Sequence, residues 1–214
     1  MILVLINSVL NPIKSPLSYT DIRSVYSIKE RFQQTLITIQ SVKENIPNCH
    51  IVLIEASKNI EEYNDKFKKL VNEYYNIYDN NDNNDIITAV ESQYKGLGEV
   101  HMMLGYLLKN DISKFDSLIK ISGRYYLNDR FDSRIFDNDY NVFRSFYDTV
   151  VSTRLYKITN GYFTEFIENL KKSIFHLEQG NSVEKVFYLL MKYTHINHLG
   201  LSGNIAISGD KTEE

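Results

Sequence analysis

The residues with the most chemistry to offer meet at one turn. Lys120-Ile121-Ser122-Gly123-Arg124-Tyr125 closes an apolar run that begins at Leu118. A continuous apolar run bounded by a glycine turn reads as a strand covered on both faces. The Ser122-Gly123 step leaves room for a backbone or a ligand to come close. Arg124 then puts a guanidinium at the strand's C-terminal edge, where open α/β sheets bind ligands. That group pairs bidentately with phosphate or carboxylate oxygens. Its plainer alternative is a surface ion pair with Asp129 or Asp132.

Other candidates surround this turn. Lys95-Gly96-Leu97-Gly98-Glu99 opens a helix, and a glycine-flanked helix start offers free N–H groups to an anion. Its spacing is not that of a Walker loop, and the alternative is a turn in which Glu99 complements the helix dipole. Asn7 and Ser8 end the first apolar run, Glu55 ends the second, and Arg31 lies on the helix between them. Glu55 suits hydrogen bonds from a ribose or base, or a loop N–H; Arg31 suits a base or phosphate, or, beside Glu30, a solvated helix face. Asn181-Ser182-Val183-Glu184 reads as a capping box. Asp79, Asp82 and Asp85 lack the glycine and glutamate spacing of a calcium loop and read as solvated. His195 and His198 sit three apart without a third ligand, so they read as satisfying helix-end carbonyls. Tyr125, Tyr126, Tyr140 and Tyr147 give aromatic surface beside Arg144, Thr153 and Arg154.

The elements that must position these groups follow from periodicity. Residues 2–6 and 51–54 read as buried strands. Residues 27–45 read as a helix with Ile28, Phe32, Leu36, Ile39 and Val42 on one stripe. Asn59-Ile60-Glu61-Glu62 reads as a capping box, opening a helix lined by Tyr63, Phe67, Leu70, Val71 and Tyr74. Residues 86–90 read as a short strand. Strands alternating with helices predict a mostly parallel sheet flanked by helices. Beyond residue 128, strands are expected over 141–146, 150–158 and 201–207, helices over 163–177 and 182–193, and a frayed tail over 210–214.

Composition narrows the function classes. The 214 residues fit one α/β domain, over 1–209. A net charge of −3 argues against broad nucleic-acid or anionic-membrane binding. The single cysteine, Cys49, excludes an internal disulfide and a cysteine zinc cage. No apolar run approaches the ~20 residues of a transmembrane segment, and the opening MILVLINSVL lacks a signal peptide's basic start and cleavage site. The cytoplasm is the expected compartment.

Residues 2–57, with strand, Arg31-bearing helix and strand ending on an acid, resemble the opening half of a GT-A-fold glycosyltransferase. Lys95 to Glu99 resembles a K..GE segment, and Lys120 to Tyr125 a KISGRY segment, of small GT-A-like enzymes in viral and bacterial glycan gene sets. The resemblance covers nearly the whole chain. It implies a nucleotide-sugar-binding half (1–127) and an acceptor-side half (128–209). The implied activity is transfer of a hexose or deoxyhexose from a nucleotide sugar to a glycan hydroxyl, in surface polysaccharide or glycoprotein glycan synthesis. Asn7, Ser8, Arg31, Glu55, Lys95, Gly98, Lys120, Ser122, Gly123 and Arg124 would hold the donor. Tyr125, Arg144 and Thr153 would meet the acceptor. Glu184 resembles in position the acid that begins a late helix in inverting members and takes the acceptor's proton. The chain departs from the family at one place: the usual Asp-x-Asp falls on Ser122 and Arg124, a cation where a metal ligand is expected. Either Arg124 supplies the charge, with no metal ligands at this turn, or Mn2+ or Mg2+ is held elsewhere. The rivals are a nucleotidyltransferase, which wants a glycine-rich basic loop after the first strand where residues 7–16 have no glycine, and a non-catalytic nucleotide- or glycan-binding module.

Overall fold

The computed structural model describes residues 1–79, 81–146 and 149–214. The chain begins with β1 (Ile2–Ser8), then α1 (Ile28–Asn45), which opens on a full capping box between Ser27 and Glu30. β2 (His50–Glu55) and α2 (Glu61–Lys68) follow. The capping box expected at Asn59 does not form: Asn59 sits at φ 58°, a left-handed conformation asparagine tolerates, and Ile60 stands uncapped at the helix start. β3 (Glu73–Asn76) contains Tyr74, expected on the helix. Residues 86–90, expected as a strand, lie in α3 (Asn84–Glu91). Ile86, Ala89 and Val90 are spaced i, i+3, i+4 and pack on the helix that follows; a short apolar run fits both periods, and tertiary contact decides.

Next come α4 (Lys95–Leu107), β4 (Ser117–Ser122), β5 (Tyr125–Leu127) and α5 (Ser133–Phe136). The region expected as two long strands is broken into β6 (Val142–Phe143), β7 (Ser145–Phe146), β8 (Val150–Val151) and β9 (Leu155–Thr159). α6 (Phe163–Glu178), α7 (Val183–Leu190) and β10 (Thr194–His195) precede β11 (Leu201–Asn204) and β12 (Lys211–Glu213). The tail is not frayed. β12 pairs with β11, and the Glu214 side chain is buried against Arg154 and Ser152.

The main sheet has seven strands in the order β10-β6-β9-β4-β1-β2-β3. All run parallel except β9, which is antiparallel to both neighbours. The architecture is α/β, a mostly parallel sheet flanked by helices, with strands from both halves of the chain in it. Side chains alternate across it: Leu3, Leu5 and Leu118 face a core with α3, α4, α6 and α7, whereas Val4, Ile6, Ile119 and Ile121 face a core with α1 and α2. No helix among the described residues is long and apolar enough to cross a membrane.

Candidate functional site

Register brings the strand ends together. Asn7 lies opposite Ser122, and Ser8 opposite Glu55, at the C-terminal edge of the parallel strands. A cavity of about 130 Å³ opens there, lined by Asn7, Ser8, Arg31, Lys95, Gly98, Ser122, Gly123 and Arg124 among others. A second compartment of about 140 Å³ adjoins it and carries Glu184, Tyr125 and Thr153. Lys95, Glu99, Ser122 and Arg124 belong to both, with Leu17, Arg23 and Ala206, and make up the wall the two share. Residues far apart in sequence thus converge, including all but two of the ten expected to hold a donor.

Arg124 is fixed by the backbone on either side of it. Gly123 N–H donates to Asn7 O at 2.8 Å, and a Cβ on Gly123 would stand 3.2 Å from that same oxygen. On α1, Thr35 donates to Gly123 O at 3.0 Å, Thr38 donates to Tyr125 O at 2.7 Å, and Ser41 accepts from Leu127 N at 3.1 Å. Three hydroxyls on one helix face thereby clamp the segment from which Arg124 projects. Its Nη1 donates to Asn204 O at 3.0 Å, and its guanidinium lies 5.5 Å from the Tyr125 ring centre. The surface pairing with Asp129 or Asp132 does not form; Asp132 pairs with Arg134.

Lys95 stands at the first position of α4, exposed into the recess. Protein on several sides, then the Arg124 charge, hold its ammonium down to about 8, with Glu99 and Glu184 opposing and Lys120 adding to the drop. Leu97 and Gly98 N–H already donate to Tyr94 O. Gly98 serves packing instead: a Cβ there would lie 2.9 Å from Val90 Cα, so glycine lets α4 press on the end of α3. Lys120 lines neither compartment. Its ammonium is fully buried and donates to Glu99, to Ser122 Oγ at 3.0 Å and to Thr153 O at 2.5 Å. The role expected of Lys120 as a direct donor contact is therefore corrected: its donors are used inside the protein.

Glu55 is corrected likewise. It is wholly buried, and Oε1 accepts from Leu10 N at 2.9 Å, Ala56 N at 3.1 Å and Ser57 Oγ at 2.5 Å. Burial pushes its carboxyl up, against those hydrogen bonds and Arg31. It braces the loop after β1 and does not reach the cavity. Arg31 is not a solvated helix residue; it is 6% exposed, donates to Val9 O and to Ser24 Oγ at 2.9 Å, and keeps a face on the cavity. Burial, then Arg124, push it down to about 9, so it remains a cation at neutral pH. Among the described residues, both polar atoms of the Asn7 amide are buried without a hydrogen-bond partner, as is Glu55 Oε2.

In the second compartment Glu184 opens α7 with no hydrogen bond among the described residues, while Ser182 caps that helix through Lys185 N at 3.4 Å. The capping box expected there does not form: the N-cap is Ser182 rather than Asn181, which puts Lys185 and not Glu184 at the third helical position. Burial and then the Glu184 charge push the Tyr19 phenol up, with Arg124 and Arg23 opposing, which places these groups within one field. Arg154 is paired with Glu214 and lies 5.1 Å from the Tyr125 ring centre. Arg144 lies in neither compartment; it stacks 4.3 Å from the Phe146 ring centre. Tyr126 and Tyr140 are exposed, and Tyr147, like Asn80 in the aspartate loop, lies outside the described residues. His195 accepts from Ser145 N at 3.1 Å rather than capping a helix.

A divalent cation held by protein groups alone needs several oxygen ligands. Glu99 is bound to Lys120, Glu55 is sealed behind the cavity, and among the described residues no three of His, Cys, Asp or Glu come together as a metal site. Arg23, Lys95 and Arg124 put three cations beside Glu99 on the shared wall.

Several lining residues carried little sequence signal. Thr35 sits four residues after Arg31, a helix-face spacing that pointed to it. Arg23, which bridges the carbonyls of Ser15, Val90, Glu91 and Ser92, comes from a loop with no periodicity. Pro12, Ile13, Ala56, Tyr78 and Val90 give the first cavity mostly apolar lining that the second compartment does not share.

No family model matches the chain, and no curated protein sequence does. Among solved structures it is similar to a cytidylyltransferase from Leptospira borgpetersenii serovar Hardjo-bovis (strain JB197), with 12% identity, 78% of this chain and 63% of that chain covered, and a TM-score of 0.40. The chain thus spans less than two thirds of the cytidylyltransferase's length. It is also similar to mouse xyloside xylosyltransferase 1 in its apo form, with 8% identity, 87% and 79% covered, and a TM-score of 0.47. Both superpositions are partial, and the site is read from its own residues.

Proposed function

We propose that the protein is a glycosyltransferase that passes a sugar from a nucleotide donor to a glycan hydroxyl. The observation that carries this is the shared wall: Lys95 and Arg124 stand between a cavity with mostly apolar lining and a compartment holding a free carboxylate. A nucleoside diphosphate sugar has the matching order of parts. Its base lies at Pro12, Ile13 and Tyr78, its diphosphate between Lys95 and Arg124, and its sugar toward Glu184.

Glu184 takes the proton of the acceptor hydroxyl as that oxygen attacks the anomeric carbon. The bond from that carbon to the phosphate oxygen breaks, and its electron pair leaves with the diphosphate. Arg124 and Lys95 stabilise the growing charge. The displacement inverts the anomeric centre. Tyr125 and Thr153 border the acceptor. The transferred group is a hexose or deoxyhexose, and the product belongs to surface polysaccharide or glycoprotein glycan synthesis.

A thermal-shift panel of nucleotides and nucleotide sugars, with and without Mn2+, tests binding, because a ligand of the folded state raises apparent stability. Mass spectrometry of donor and acceptor mixtures then tests transfer. Stabilisation by nucleoside diphosphates with turnover of one sugar nucleotide supports the proposal. Turnover only with a nucleoside triphosphate and a sugar phosphate would make it a nucleotidyltransferase. Binding without turnover would make it a binding module.

A further inference from the structure

Lys120 lies mid-strand on β4 with its side chain at 0% exposure. A buried ammonium is costly unless it is paired and hydrogen-bonded. This one uses its three donors on Glu99, Ser122 Oγ and Thr153 O. The consequence shows at Glu99, which follows Lys95 by four residues on α4. At that spacing opposite charges meet along a helix. Yet among the described residues Glu99 forms its salt bridge with Lys120, and Lys95 forms none. The strand directs it so: alternation turns Lys120 to the α4 face of the sheet, beneath Glu99.

We propose that Lys120 is a positioning residue that draws the Glu99 carboxylate away from Lys95, so that Lys95 and Arg124 meet an anionic ligand without a carboxylate partner. The functional consequence rests on the proposed diphosphate site; the geometry does not. Around the shared wall, the cations Arg23, Lys95, Lys120 and Arg124 stand with the carboxylates Glu99 and Glu184. Removing the Lys120 charge alone frees Glu99 to pair with Lys95, four residues before it on α4. Removing the Glu99 charge as well leaves Lys95 unpaired again.

The test uses Lys120→Met, the double variant Lys120→Met/Glu99→Gln, and two readouts on the full chain. Calorimetry with inorganic pyrophosphate should show binding weakened about tenfold in the single variant and restored to within about threefold in the double. Lys95 acylation followed by mass spectrometry across pH should show its titration moving upward in the single variant and returning in the double. A double variant that binds no better than the single one, or a Lys95 titration unmoved by Lys120→Met, overturns the inference. If the wild-type protein does not bind pyrophosphate, the donor-site reading fails, and the Lys95 titration still decides the role of Lys120. Should Lys120→Met not fold, Lys120→Gln removes the same charge, and both readouts apply to it unchanged.

Discussion

Replacing Arg124 by alanine should cost the enzyme about 10²-fold in kcat/KM. The guanidinium touches a neutral carbonyl, Asn204 O, at 3.0 Å and forms no salt bridge among the described residues, so no carboxylate holds it in contact. A phosphate about 4 Å away would interact with it by about 4 kcal/mol at an effective dielectric of about 20. Arg124 is only half-buried and Lys95 shares the load, which brings the expected loss to about 3 kcal/mol, the scale of one preorganised charge-stabilising donor. The fold should lose little, about 1 kcal/mol for one hydrogen bond and a ring contact. Steady-state kinetics with the sugar nucleotide found in the donor panel, alongside Tm, give both numbers. A variant with kcat/KM within about threefold of wild type would refute the reasoning, since no other change at that wall substitutes for a lost charge.

Three further outcomes are expected. Because Lys95 is held down to about 8, below the ordinary lysine range, it sheds its proton as pH rises through that value, and only the charged form attracts phosphate. Nucleoside diphosphate affinity measured by calorimetry should therefore fall between about pH 7 and pH 9, and Lys95→Met should flatten that slope; a flat wild-type profile would contradict it. Glu184→Gln should lower transfer by about 10²-fold or more while sparing donor binding in thermal shift, and retained transfer would leave the residue only its place at the helix start. Gly98→Ala should destabilise the fold by about 2 kcal/mol in chemical denaturation, because the added Cβ meets backbone at 2.9 Å; an unchanged midpoint would mean that α3 and α4 part at no cost.

The site was legible where a local pattern forced a position. Apolar runs ending at Asn7 and Ser122 had to stop at a strand edge, and parallel register then put them side by side. What sequence could not show was where polar side chains spend their hydrogen bonds. Lys120 and Arg124 differ by four positions on one segment, yet one is sealed on Glu99 and the other faces the cavity. Glu55 has the right place for a ligand contact, yet its Oε1 is held by Leu10 and Ser57 and it lines neither compartment. The hydroxyl row of Thr35, Thr38 and Ser41 interrupts an apolar helix, and its part as a backbone clamp shows only with the partner segment in place. The misread element, residues 86–90, was too short for its period to decide between strand and helix. A chain terminus reads as frayed by its position alone, whereas residues 211–214 are ordered by pairing with β11 and by Glu214 on Arg154.

The most direct measurement is a crystal structure with a bound nucleoside diphosphate. The account predicts phosphate oxygens within hydrogen-bond distance of both Lys95 Nζ and the Arg124 guanidinium, with the base against Pro12, Ile13 and Tyr78. A diphosphate bound away from that pair, with Arg124 still resting on Asn204 alone, would contradict it.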